Sequence, residues 1–280
     1  MTEGFDTESL LEVARAAAAS GADAVLAKVG NHGEVRTKTS LTDPVTEADE
    51  AGEAAIREVL ASLRPDDAIT GEEGDDQAGT TGLRWLIDPL DGTVNFLYGH
   101  PQWCVSVAVA DSEGPVAGVV FDPQRGEEFA TTRGGPLLLN GIEVERAGVH
   151  SPGNSEDPLE GVLLATGFNY ERPVRALQGP VFNSLIPRVR DIRRGGSAAL
   201  DLCWVAVGRV DAYFEHGVRA WDVSAGALAC LSAGLCVKAM PARGGWPAGI
   251  AAGAESVVDA LVEACGSSET AGPWPAVWVA

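Results

Sequence analysis

The chain has 280 residues, with 20 Lys and Arg against 40 Asp and Glu, a formal charge of -20 at pH 7. That length allows one large domain or two joined ones. A field of that sign repels nucleic acid and anionic lipid unless cations or a nest of backbone N–H groups reverse it at one spot. With 34 Gly, 16 Pro and no apolar stretch near the roughly eighteen residues of a membrane span, a turn-rich soluble protein is expected.

In chain order, the opening residues Glu3, Asp6 and Glu8 lack the basic start of a signal peptide. Apolar positions Leu10, Val13, Ala14, Ala17, Ala24 and Val25 predict a helix over 7–29, loosened at Ser20-Gly21. A second helix begins after Thr46, with a capping box over Thr46-Glu47-Ala48-Asp49 and Pro65 as its stop. Shorter periods then predict strands at 68–70, 85–88, 103–110, 116–121 and 137–140, which makes residues 1–147 an α+β half. Residues 148–158, GVHSPGNSEDP, read as a linker. From 159 to 266 strands alternate with helices, the pattern of an α/β half: strands near 162–166, 191–194, 210–215, 235–240 and 249–252, helices near 174–189, 197–207, after Trp221 and over 254–264. The tail, 267–280, carries two Trp and no clear element.

The five cysteines form no C-x-x-C pair and sit among apolar residues, so buried thiols in a reducing compartment, the cytoplasm, are expected. Lysine occurs only at Lys28, Lys38 and Lys238, against seventeen arginines, which makes Lys38 conspicuous.

Acidic residues stand where strands end or helices begin: Glu72 in ITGEEG, Asp88 and Asp91 in WLIDPLDGTVNF, and Asp222 in RAWDVSAGALA. Oxygen ligands without His or Cys fit Mg²⁺ better than zinc. Each has a plainer reading. Glu72 lies in a charge run typical of a solvated loop, Asp222 could cap the helix after it, and the capping box accounts for Asp49. Asp88 and Asp91 resist that reading, because two carboxylates around an apolar strand end repel each other unless a cation intervenes. A short helix starting near Val94 would put N–H groups of Gly92 and Thr93 beside them, an anion site next to a metal site.

These residues resemble the signatures of the inositol monophosphatase family: GEE at 71–73, WLIDPLDGTVNF at 85–96 and WDVSAGALA at 221–229, with KTSLTDPVTEAD at 38–49 similar to its N-terminal region. The resemblance runs from about residue 8 to about 265 and implies a layered α-β-α-β-α sandwich. It also implies a Mg²⁺-dependent, lithium-sensitive phosphomonoesterase with two or three ions per site, usually a homodimer. Carried over by position, Glu72, Asp88, the Leu90 carbonyl and Thr93 would hold one metal, and Asp88, Asp91 and Asp222 a second, with Glu72 sharing a third. Thr93 and Asp49 would orient and deprotonate the attacking water, and Lys38 would be the basic residue near the metals. Asp91, Gly92, Thr93, Ser197, Ala198 and Glu215 would face the substrate, Glu215 accepting hydrogen bonds from inositol hydroxyls. One departure is Gly74, where the family often has Ser after GEE; tolerance is expected, since that side chain is no metal ligand. TGFNY at 166–170 falls where substrate contacts can occur, while His100 and His216 read as structural or surface residues.

Inositol 1-phosphate, a small phosphorylated polyol, is the expected substrate, favoured by GTVNF and Glu215. Fold and metal site do not fix the ester, so histidinol phosphate, fructose 1,6-bisphosphate and 3′-phosphoadenosine 5′-phosphate remain alternatives. A regulatory or scaffolding role through a macromolecular partner is a third reading. Direct nucleic-acid binding is disfavoured by the charge, and a basic protein partner is not.

Overall fold

The structure, a computed structural model, describes residues 6–30, 35–37, 44–145 and 156–274. Helix α1 (Thr7–Leu26) starts at Asp6, whose side chain accepts the Ser9 N–H, and buries Leu10, Leu11, Ala14, Ala17, Ala18, Ala22 and Val25 on one stripe. The predicted break at Ser20-Gly21 is absent. Gly21 is buried against α2 (Glu47–Leu63), and a Cβ there would come within 2.8 Å of Ile56 Cγ1, so this glycine permits close helix packing and does not interrupt the helix. The capping box of Thr46 and Asp49 forms as expected. Between the helices, β1 (Arg36–Thr37) and β2 (Pro44–Val45) make a short antiparallel ribbon.

The first sheet runs in chain order: β3 (Ala68–Gly71), β4 (Arg84–Asp91), β5 (Cys104–Asp111), β6 (Gly114–Asp122), β7 (Glu127–Thr132), β8 (Leu138–Leu139) and β9 (Ile142–Glu143). Only β3–β4 is parallel. Strand β7, EEFATT, was not predicted, because Phe129 and Ala130 alone give no alternation; its pairing with β6 comes from the ladder Ala117↔Thr132 to Asp122↔Glu127. Strand β4 extends past the predicted end at Asp88, and its register against β5 shifts between Asp88 and Asp91, a bulge across Pro89-Leu90. Helix α3 (Thr93–Leu97) follows at once.

The second half holds β10 (Leu163–Thr166), α4 (Arg172–Leu185), β11 (Asp191–Arg193), α5 (Ala198–Ala206), β12 (Ala212–His216), α6 (Ala220–Ser232), β13 (Cys236–Met240), β14 (Gly249–Gly253), α7 (Glu255–Ala264) and β15 (Gly272–Pro273). Its sheet order is β11-β10-β12-β14-β13-β15, parallel on the β11-β10-β12 side and antiparallel beyond. Helix α4 stops at Leu185, short of the expected residue 189: Ile186 keeps helical backbone and still donates to Phe182 O, but Pro187 has no N–H to continue the ladder. The tail is not structureless as far as Trp274: β15 pairs with β13, and Trp274 is buried. The linker expected at 148–158 lies outside the described residues except for 156–158.

Three apolar layers stack these elements. Helices α1 and α2 cover one face of the first sheet through Trp85, Ile87, Val105, Val107 and Val109. Helices α5 and α6 fill the space between the sheets, against Leu86, Cys104 and Ala108 on one side and Tyr213, Val237 and Ile250 on the other. Helices α4 and α7 close the outer face of the second sheet through Leu185, Val258 and Leu261. The result is an α-β-α-β-α sandwich. Strand β5 is covered on both faces, which is why its sequence is a nearly continuous apolar run. The described cysteines are all thiols, buried at Cys104, Cys203, Cys230 and Cys265 and half-buried at Cys236.

Candidate active site

A cleft lined by residues from both halves opens at the ends of the sheets. The first half contributes Glu72, Asp88, Leu90, Asp91, Gly92 and Thr93; the second contributes Gly167 to Tyr170, Arg194, Gly196, Ala198, Glu215, Gly217, Val218 and Asp222. Residues 150 apart in sequence thus share one cavity because α5 and α6 pack against both sheets.

Glu72 follows β3, Asp88 lies inside β4, and Asp222 is in the first turn of α6; one carboxylate oxygen from each falls within 4.8 Å of the others. Asp222 also caps α6 by accepting the Arg219 N–H at 2.6 Å, so capping and membership of the cluster coexist in one carboxylate. Asp88 accepts the Leu90 N–H at 2.9 Å across the bulge. Burial pushes the Asp88 carboxyl well above the carboxylate range, and Glu72, Asp91 and Asp222 add repulsion. Asp222 is displaced the same way, first by burial and then by Glu72 and Asp91. The donor set is oxygen alone and mutually repelling, buried at Asp88 and half-buried at Glu72 and Asp222, and it fits a hard divalent cation that would neutralise it.

Asp91 sits on the bulge's far side with Oδ2 against the start of α5, accepting from Ser197 Oγ and Ala199 N, each at 2.7 Å. Burial raises it to about 6 despite those hydrogen bonds, and Glu72 adds repulsion. Ser197, expected to face substrate, is buried; its hydroxyl caps α5 at Leu200 N and binds Asp91, while Ala198 lines the cleft.

Asp49 is fully buried in the first turn of α2. Its Oδ2 accepts from Thr46 N at 2.8 Å and Thr46 Oγ1 at 2.6 Å, and its Oδ1 accepts from Thr93 Oγ1 at 2.9 Å. Thr93 Oγ1 also lies 3.1 Å from the Leu90 carbonyl. Burial raises Asp49 although Thr46 and Thr93 stabilise its charged form. Gly92, at φ +105, makes the turn from β4 into α3; a Cβ would come within 2.8 Å of the Gln102 carbonyl. Lys38 lies outside the described residues.

At the far wall Glu215 accepts from Tyr213 Oη at 2.8 Å. Burial lifts it to about 7, while Tyr213 and Arg194 pull it down. A Cβ at Gly167 would collide with its carboxylate, so glycine there admits Glu215 to the cleft. Phe168, Asn169 and Tyr170 also line the wall, which places TGFNY at the cavity. His216 is buried, with Nδ1 3.0 Å from the Pro247 carbonyl and its ring 4.7 Å from Trp246; His100 is exposed beyond α3.

Three supporting residues escaped the sequence reading. Buried Glu53 on α2 accepts from Glu73 N and Gly74 N at 2.8 Å and from Arg57 Nε at 2.7 Å, holding the turn that carries Glu72. Position 74 is therefore more than neutral: a Cβ would come within 2.6 Å of Glu53 Oε1. Arg194 lines the cleft, and buried Asp201 lies behind it. The only signal for Glu53 was an acid on the apolar stripe of α2, three residues before Ile56.

Residues 6–266 match the family model described as the inositol monophosphatase family. The chain belongs to the inositol monophosphatase family. It is 43% identical over 243 residues to an inositol-1-monophosphatase of Mycobacterium leprae, covering 83% of this chain and 81% of that one. It is 44% identical over 196 residues to a protein of Xylella fastidiosa named Nus factor SuhB, covering 70% and 68%. Among solved structures, Mycobacterium tuberculosis SuhB superposes with a TM-score of 0.78 at 36% identity, covering 95% of this chain and all of that one. This member of the inositol monophosphatase family is a phosphoric monoester hydrolase, and the Glu72, Asp88 and Asp222 cluster fits the metal dependence of such a phosphatase.

Proposed function

We propose that the enzyme hydrolyses inositol 1-phosphate to inositol and phosphate, with Mg²⁺ held by Glu72, Asp88, the Leu90 carbonyl, Thr93, Asp91 and Asp222. One observation carries the reading: a single cleft lined both by the Glu72, Asp88 and Asp222 carboxylate cluster and by Glu215, a carboxylate that accepts a hydroxyl hydrogen bond. Bound there, the ions would neutralise the carboxylates and the charge that develops on the transferring phosphoryl group.

The chain's own residues supply the rest. Thr93 Oγ1 orients the attacking water, and the proton it receives passes along the 2.9 Å hydrogen bond to Asp49 Oδ1. Thr46 keeps the Asp49 carboxylate turned toward Thr93 through Oδ2. Backbone N–H groups of Gly92 and Thr93 face the phosphate, Ala198 lies along the sugar-like ring, and Asp91 and Glu215 accept its hydroxyls. Ser197 contributes through Asp91. The resemblance alone assigns Lys38 a place near the metals. The same reading carries lithium sensitivity, a homodimer and a cytoplasmic location.

A second reading rests on the relatives named Nus factor SuhB, which are 40 to 44% identical. A chain of charge -20 would meet a basic protein partner more readily than RNA.

Phosphate release over inositol 1-phosphate, histidinol phosphate, fructose 1,6-bisphosphate and 3′-phosphoadenosine 5′-phosphate, with and without Mg²⁺, tests both. Inositol 1-phosphate is expected to lead, with a loss of at least about 100-fold on Mg²⁺ removal and in Asp91→Asn. Another ester in the lead keeps the chemistry and removes Glu215 as an inositol marker. No release from any ester, with a stoichiometric protein partner recovered, favours the second reading.

A further inference from the structure

Asn95 belongs to the GTVNF string, yet it is not among the cleft-lining residues. Its Nδ2 donates to two backbone carbonyls: Gln102 O at 2.6 Å, within its own half, and Gly195 O at 2.9 Å, one hundred residues away. Both of its N–H bonds are thereby engaged. The Gly195 peptide is confined from the other side as well by the buried Asp201 carboxylate, whose Oδ1 lies 2.5 Å from where a Gly195 Cβ would be. Gly196 follows at φ +91, and a Cβ there would come within 2.9 Å of Asn95 Nδ2, so both glycines make room for the clamp. Two residues on, Ser197 Oγ and Ala199 N place Asp91 Oδ2.

The contacts close a ring: Asp91 through Gly92 and α3 to Asn95, across to Gly195, along the turn to Ser197 and Ala199, and back to Asp91. We propose that Asn95 is a positioning residue that locks the Gly195–Ser197 turn of the second half onto the first, and through it fixes the Asp91 carboxylate toward the metal cluster. This rests on the metal role proposed for Asp91. A carboxylate held by N–H and O–H donors presents its remaining oxygen in one direction; loosened, it samples several, and metal affinity falls as for other residues that orient a ligand.

The test uses the full chain with Asn95→Asp, an isostere that turns donors into acceptors facing two carbonyls, and Asn95→Ala in case the first fails to fold. Amide hydrogen exchange on metal-free protein is expected to rise at least about 10-fold at Gly195 to Ala199 and to stay unchanged in β5 and α1. Calorimetric Mg²⁺ affinity is expected to fall about 10–100-fold, with kcat falling at fixed Mg²⁺ and KM for the ester moving less than threefold. Combining Asn95→Ala with Ser197→Ala is expected to cost no more than the larger single change, because both act through one turn. Unchanged exchange at the turn overturns the proposal, as does a Mg²⁺ affinity equal to wild type. Wild-type protein that binds no Mg²⁺ sinks the metal reading of Asp91 and this proposal's link to it, while the exchange result then decides separately whether the clamp exists.

Discussion

Asp49 shows how one side chain can satisfy a local rule and a distant site together. Its capping-box oxygen answers Thr46, and its other oxygen reaches Thr93, 44 residues on. Asp49→Asn keeps the shape but turns the amide N–H₂ toward at least one of the two threonine hydroxyls, so the proton acceptor is lost. The expected outcome is a fall in kcat of about 10²–10⁴-fold with KM nearly unchanged, read by steady-state phosphate release. Asp222 is comparable: its helix-capping role, the plainer expectation from sequence, is present at Arg219 N, and so is the approach to Glu72 and Asp88. The two readings were never exclusive, because a carboxylate has two oxygens.

Among the elements, α2 does more than cover the sheet. Its buried stripe includes Asp49 and Glu53 beside Gly52, Ile56 and Leu60, so the same face that packs also supports the site. Glu53 ties α2 to the Gly71–Gly74 turn through two backbone N–H groups and is itself balanced by Arg57. Glu53→Gln leaves the volume intact but weakens those acceptors and leaves Arg57 without its charged partner. Mg²⁺ affinity by titration calorimetry is expected to fall about 10-fold through Glu72, and the melting temperature by a few degrees. Pattern reading marked α2 correctly from Thr46 to Pro65 yet could not separate its supporting acid from solvated ones. Strand β7 was missed for a related reason: its six residues are held by pairing with β6, and a ladder partner is invisible to local alternation.

At the scale of the whole molecule, acidic residues dominate, and among the described residues six carboxylates are held above their ordinary range: Asp49, Asp88, Asp91, Asp201, Glu215 and Asp222, each primarily by burial. Between about pH 4, where the unfolded chain loses these protons, and the folded values, which include about 6 for Asp91 and about 7 for Glu215, the folded protein binds more protons than the unfolded one. Its stability therefore falls as pH rises through that window. His216, held below its usual value by burial, acts in the opposite sense, and so do Asp67, Asp111, Glu127, Asp157 and Asp191, held down by arginines, but these carboxylates act at and below the low end of the window. In EDTA the melting temperature is expected to be higher at pH 5.5 than at pH 8 by at least about 4 °C, and Mg²⁺ at pH 8 is expected to restore most of the difference. A flat profile in EDTA would show that the carboxylates are not strained without a cation.

The sequence by itself determined most of the helices and strands, the caps at Thr46 and Asp222 and the motif acids, because capping, turn chemistry and apolar periodicity act over a few residues; the layered class followed from the family resemblance of the motifs. The D-P-L-D step is legible because two like charges across a two-residue bulge need a counter-charge whatever surrounds them. Tertiary structure decided how the acids grouped by the family resemblance come together. The parallel β3–β4 pair sets Glu72 beside Asp88, and Asp222 joins them because α6 packs between the sheets. It also decided that Ser197 serves Asp91, that Gly21 and Gly74 are packing positions, and that Asn95 reaches across to Gly195. Those contacts span 16 to 150 residues, and a local window of sequence contains only one partner of each.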